Sequence, residues 1–174
     1  MFRSVVRYMN DPVLEQPAQP VTEFGTVELR QLVDDMFETM YESHGVGLAA
    51  PQVAISKRVA VIDVAGADDE QKPEKIVLVN PKVIAKTGKQ TGEEGCLSIP
   101  GFREPVTRAK VATVRAQNLE GQWFEITGED LLARALLHEI DHLDGILFLN
   151  HLSALKRDLI KRKIRKMQKA GDWE

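Results

Sequence analysis

His138-Glu139-Ile140-Asp141-His142 sets two imidazoles four residues apart, with a carboxylate directly after the first. On a helix, residues four apart stack on one face, so both rings can reach one cation. Glu139 lies about 100° round the helix from His138, near enough to meet a water held at that cation without being a ligand. A divalent first-row metal lowers the pKa of water from near 15.7 towards ~7, and a neighbouring carboxylate then accepts the proton. That chemistry is hydrolysis.

The flanks of this stretch predict a helix. Thr127 is the expected N-cap, and Glu129 and Asp130 fill a first turn where the helix dipole favours negative charge. Leu131, Leu132, Ala135 and Leu136 form an apolar stripe, and Asp144-Gly145 is a natural stop. HExxH also arises by chance in long helices. Two histidines within one turn of a buried helix, however, are costly to desolvate without partners. A metal is the simplest partner.

Open catalytic sites usually take three protein ligands and leave one position for water. The downstream protease patterns do not supply a third. In HExxHxxGxxH this chain has Gly145 at the glycine but Phe148 at the last histidine. Where the other large group carries a Glu one helix further on, it has Lys161, Arg162 and Lys163, and Asp158 sits in the same basic segment. Upstream, Glu94-Gly95-Cys96-Leu97-Ser98 holds the only cysteine of 174 residues. A single Cys excludes an internal disulfide and suits a reducing compartment. Cys96 reads either as a small buried hydrophobe or as a thiolate completing a Cys-His-His set. Gly95 permits close backbone approach, and Gly92 to Gly95 is expected to interrupt the strand-like run before it.

A third segment, Gly45-Val46-Gly47-Leu48-Ala49-Ala50-Pro51-Gln52, follows a helix in which Val27, Leu32, Val33, Met36, Phe37, Met40 and Tyr41 keep 3.6-residue spacing. Its glycines, alanines and proline predict irregular, closely packed backbone. Gln52 can direct an amide N–H at a developing oxyanion.

The ordered triple GVGLAAPQ, EGCLS and HEIDH resembles peptide deformylase, and the resemblance spans the chain from Pro12 to the basic C-terminal helix. Leu137 departs from it, since the family often has Gln there. The resemblance implies metal ligation by Cys96, His138 and His142, with Glu139 as general acid and base. It implies an oxyanion hole from the Gln52 side chain and the Leu97 backbone N–H. The implied reaction is hydrolysis of the formyl group from N-formylmethionine at the start of nascent chains, releasing formate. The implied metal is Fe(II), with Zn, Ni or Co also accepted. Val46, Leu97, Leu131 and Ala135 are the candidates for a methionine side-chain pocket. Residues beyond the methionine are expected to bind by main-chain hydrogen bonds at a strand edge near Val46, Gly47 and Gly95.

The remaining sequence predicts one α+β domain over 1–174, with antiparallel β-sheets around the metal-binding helix, an N-terminal helix and a C-terminal helix. Arg58 to Val64, Lys75 to Val79, Lys110 to Ala116 and Trp123 to Ile126 read as strands, with a polar loop from Gly66 to Pro73. No apolar run approaches the ~18 residues of a membrane span, and the N-terminus lacks a signal-peptide core. Cytoplasm and a monomer are the expectations. Residues 153–174 carry eight Lys or Arg against three Asp or Glu, in a chain of net charge −3. Leu155, Leu159, Ile160, Ile164 and Met167 form one apolar stripe, so the basic helix over 153–170 is expected to dock on the body. The resemblance adds attachment of its solvated face to the ribosome near the tunnel exit. Whether Arg103, Glu104 and Arg108 contact substrate or pair with Glu94 stays open. Two rival readings are an HExxH zinc endopeptidase that needs no Cys96, and a non-catalytic deformylase-like protein that binds peptides.

Overall fold

The computed structural model describes residues 1–65 and 73–174, so the loop expected over Gly66 to Pro73 lies, but for Pro73, outside the described residues. Its elements run α1 (Val27–Glu42), β1 (Gly47–Ala49), β2 (Val59–Ile62), β3 (Ile76–Thr87), β4 (Gln90–Cys96), β5 (Ile99–Arg108), β6 (Val111–Gln117), β7 (Trp123–Glu129), α2 (Leu131–Leu143) and α3 (Ala154–Ala170). The described residues form a mixed α+β fold with antiparallel sheets and three α-helices. A five-stranded sheet has the order β1-β2-β3-β6-β7, and β4 and β5 form a separate two-stranded sheet.

β2 is apolar and buried at every position, as a strand covered on both faces must be. Its alternation assigns the two helices. Val59 and Val61, with Leu48 of β1, face Leu29, Leu32, Val33, Met36 and Met40 of α1. Ala60 and Ile62, with Ala49, face Ala135, Leu136, Ile140 and Leu143 of α2. The sheet therefore sets α2 with one flank against strands and leaves its motif residues facing the β4–β5 side.

α1 starts as expected, with the Thr26 hydroxyl accepting the Leu29 N–H at 3.1 Å. Val27 does not join its buried stripe. It is 78% exposed, because two residues place it about 200° round the helix from Leu29. α2 starts later than its sequence suggests. Thr127 is not its N-cap: it pairs with Thr113 inside β7, their hydroxyls 2.8 Å apart, and Glu129 pairs with Val111. The ladder outcompetes the cap, and the chain turns instead at Asp130, whose φ is 52° and whose side chain makes no cap bond. Its N–H donates to the Lys110 carbonyl and its carbonyl accepts from Arg134 N–H.

Gly92 and Gly95 do not break β4 either. Gly92 stands opposite Val106, and a Cβ there would meet the Arg134 guanidinium at 3.3 Å. Gly95 lies at a register shift between Glu94 and Cys96, against Arg103. Both glycines make room for arginines. β3 runs on past its expected end to Thr87, with Pro81 accommodated at a register shift between Val79 and Lys82.

The single stripe expected on α3 is two. Ile160 and Ile164 are buried against Tyr8, Leu14, Phe148 and Trp173, and Met167 is packed at their edge. Leu155 and Leu159 are 70% and 46% exposed, on a face about 100° away. Among the described residues no helix is long and apolar enough to cross a membrane.

Candidate metal centre

Cys96 ends β4, and Leu97-Ser98 links it to β5, with Cys96 opposite Ile99. This link carries the sulfur to α2. Cys96 Sγ is 3.4 Å from His142 Nε2, which is 3.1 Å from His138 Nε2. All three ligand atoms lie within 4.8 Å of one another. Bond lengths of roughly 2.0–2.1 Å to nitrogen and 2.3 Å to sulfur at tetrahedral angles separate two nitrogens by about 3.3 Å and nitrogen from sulfur by about 3.6 Å. The two gaps at His142 Nε2 are about 0.2 Å tighter than these, and the third pair lies within 4.8 Å, so the donor set can close on a small divalent ion.

His138 Nδ1 is 2.8 Å from Glu94 Oε1, a carboxylate that can only accept, so that nitrogen carries a proton. Burial works against a His138 cation, but Glu139, Cys96 and Glu94 around it hold the ring well above the ordinary imidazole range, so an ion binding at Nε2 displaces a proton. Burial, and then His138 beside it, hold His142 well below the ordinary imidazole range. A neutral ring is what a metal needs.

Glu94 is the hub behind these three candidate donors. Arg108 grips it with two bonds of 2.8 Å, and Arg134 Nη1 adds one of 2.5 Å. Burial alone would push the Glu94 carboxyl up, but Arg108 and His138 draw it well below the usual carboxylate range. Arg108 also donates to Asp141 at 2.6 Å, and Asp141 meets His151 at 2.8 Å. Of the three charged residues left open by the sequence, Arg108 pairs with Glu94 and Glu104 meets Lys156 at 3.4 Å, while Arg103 sits near Glu93 at 3.7 Å and borders the cleft.

Glu139 has no such support. It is buried, its Oε1 has no hydrogen-bond partner, and burial raises its carboxyl to about 7. A Cβ on Gly47 would overlap Glu139 Oε2, at 2.4 Å, so β1 passes hard against the carboxylate. Gln52, in the 3₁₀ turn Ala50–Val53, is fixed at both ends of its amide. Its Oε1 accepts from Ala49 N–H at 3.0 Å, and its Nε2 donates to Ser98 Oγ at 3.2 Å and reaches Cys96 Sγ at 3.4 Å.

These groups line a cleft of about 560 Å³. Val46, Gly47, Gly95, Leu97, Leu131 and Ala135 border it together with Gln52, Cys96, His138 and Glu139. The Val46 carbonyl accepts the Asp63 N–H at 2.9 Å within the sheet, and by alternation Gly47 turns its main-chain groups outward along this edge. Sequence reasoning passed over Glu94, Arg134 and Ser98 as members of the site. The available signal was a charged residue two positions before Cys96, in a strand otherwise able to leave it in water.

The sequence profile of the polypeptide deformylases matches residues 3–158. A peptide deformylase of Acidobacterium capsulatum is 63% identical over 99% of each chain. One from Alkalilimnicola ehrlichii is 47% identical over 92% of this chain and 88% of its own. The crystal structure of a peptide deformylase from Legionella pneumophila superposes with a TM-score of 0.88 at 44% identity, covering 100% of this chain and 99% of the other.

Proposed function

Because the chain belongs to the polypeptide deformylase family and removes the formyl group from nascent polypeptides, we propose that Cys96, His138 and His142 hold its metal and that Glu139 moves the protons. The observation that carries this reading is the convergence of one sulfur and two imidazole nitrogens beside a buried, unpartnered carboxylate. The ion, when bound, supplies Lewis acidity that makes water nucleophilic and draws charge from the formyl oxygen. Fe(II) is the proposed cellular occupant, with Zn, Ni or Co able to replace it in this set of donors.

Glu139 takes one proton from the attacking water as its oxygen bonds to the formyl carbon. Negative charge then collects on the former carbonyl oxygen, which the Gln52 Nε2–H and the Leu97 N–H receive. Glu139 hands the proton to the amide nitrogen, the C–N bond breaks, and formate leaves a free methionyl amine. A carboxyl raised to about 7 suits a group that must both accept and return a proton near neutrality. The methionine side chain occupies the apolar wall formed by Val46, Leu97, Leu131 and Ala135, and the peptide runs along Gly47 and Gly95. Glu94 keeps His138 oriented.

α3 is proposed to offer its basic face to the ribosome, in a cytoplasmic monomer. The exposed Lys and Arg side chains along that helix support this part. The test is anaerobic purification with metal analysis, followed by assay on formyl-Met and acetyl-Met peptides. One metal per chain, with turnover of the formyl peptide alone, is expected; equal turnover of both, or metal content unaffected by Cys96→Ser, overturns the assignment.

A further inference from the structure

The two groups assigned to the oxyanion belong to different sheets. Gln52 follows β1, and Leu97 lies between β4 and β5. An extended segment ahead of α1 ties them together. Val6 N–H donates to the Gln52 carbonyl at 2.8 Å, and Tyr8 N–H donates to the Ser98 carbonyl at 2.9 Å. Between them, Arg7 Nη1 donates to the Leu97 carbonyl at 3.2 Å and to Val5 at 3.4 Å. Among the described residues Arg7 makes no ion pair. Its guanidinium serves main-chain carbonyls only.

We propose that Val6–Tyr8 is a positioning strap for the oxyanion hole, with Arg7 as its side-chain clasp. The proposal rests on the oxyanion reading given above. The Leu97 carbonyl and the Leu97 N–H flank one Cα, so fixing the direction of the carbonyl leaves that residue little freedom to turn its N–H away. Holding the Gln52 main chain steadies the base of the partner donor, whose amide is aimed by Ala49 N–H and Ser98 Oγ, and Ser98 is itself held by Tyr8 N–H. The strap is itself anchored from behind. Trp173 Nε1–H donates to the Tyr8 carbonyl at 2.7 Å, and both residues are buried. Gln168 holds Met9 and Asn10. Donors aimed before the charge appears need no reorganisation during the reaction, and misaiming by about an ångström is enough to lose rate.

Arg7→Ala, Arg7→Lys and Gln52→Ala are to be purified with metal and compared with the parent for kcat, KM, metal content and melting temperature. Losing a hole donor outright commonly costs about 10²–10³ in rate, so a misaimed donor in Arg7→Ala should lower kcat about tenfold. KM should stay within about twofold and metal content unchanged, because the loss is confined to the transition state. Arg7→Lys, which keeps a cationic donor, should recover most of the rate. Unchanged kcat in Arg7→Ala overturns the strap, as does a loss that follows the metal or that lysine fails to relieve. Gln52→Ala separates the two ideas: a large fall there beside an unaffected Arg7→Ala removes the strap and keeps the hole, whereas an unaffected Gln52→Ala removes the hole itself.

Discussion

α2 and α3 have comparable apolar repeats and abundant charge, yet they use them in opposite ways. α2 buries Arg134, His138, Glu139 and His142 along with its leucines. α3 buries only Ile160 and Ile164 and leaves its cations in water. A charge taken out of water needs a partner or it shifts its proton equilibrium. Three of the four have partners, largely from β4: Arg134 meets Glu94, and the two imidazoles face one another and Cys96. Glu139 is the exception, and it is the residue assigned to move protons. The contrast teaches that a buried charge without a partner marks the chemistry, whereas an exposed charged face is satisfied mostly by solvent, with Lys156 alone reaching Glu104.

The sharpest attempt to break this comparison is Glu139→Gln. It keeps the shape and removes the exchangeable proton, so turnover should fall by about 10²–10⁴ while metal content holds. Formate release at matched metal loading checks it, and a rate within tenfold of the parent would deny Glu139 its role. Gly47→Ala should come next, at about 10² in kcat. The strand conformation at Gly47 is one any residue adopts, and only the space taken by Glu139 Oε2 forbids a side chain. A metal-loaded but slow enzyme is the expected finding; a fast one would mean the carboxylate position tolerates displacement.

Glu94→Gln tests the satisfied side of the contrast. Removing a buried partner of a metal-binding histidine typically costs 10–100-fold in metal affinity. Arg108 and Arg134 would also face a neutral amide, so stability should drop together with metal retention. Chelator competition and thermal melts read the two effects separately. Metal held as tightly as in the parent would show that His138 needs no orienting carboxylate.

Legibility in the sequence followed the same division. His138, Glu139, His142 and Cys96 carry their chemistry in residue type and spacing, so their meeting was readable before any coordinates. The helix before β1 and the strands β6 and β7 were readable because apolar periodicity fixes them locally. Thr127 was misread because a cap and a strand end look alike until β6 supplies the competing ladder. Gly92 and Gly95 looked like breaks because the arginines that occupy their empty space come from Arg134, some forty residues on, and from the facing strand. Glu94 was missed for the same reason: its three partners lie on β5 and α2. Long-range polar pairing leaves no periodic trace.

α3 allows the smallest and most direct comparison, since both outcomes sit on one helix. Ile164→Val removes one methylene from a fully buried position beside Leu14 and Phe148 and should cost about 0.5–1.5 kcal/mol. Leu155→Ala removes more atoms yet should stay within about 0.5 kcal/mol, because Leu155 is exposed before and after folding. Denaturant unfolding of both variants decides between one docked stripe and two distinct faces. If Leu155→Ala were the more costly change, the α3 face carrying Leu155 and Leu159 would have to be covered in solution, and the helix would no longer stand as the solvated counterpart of α2.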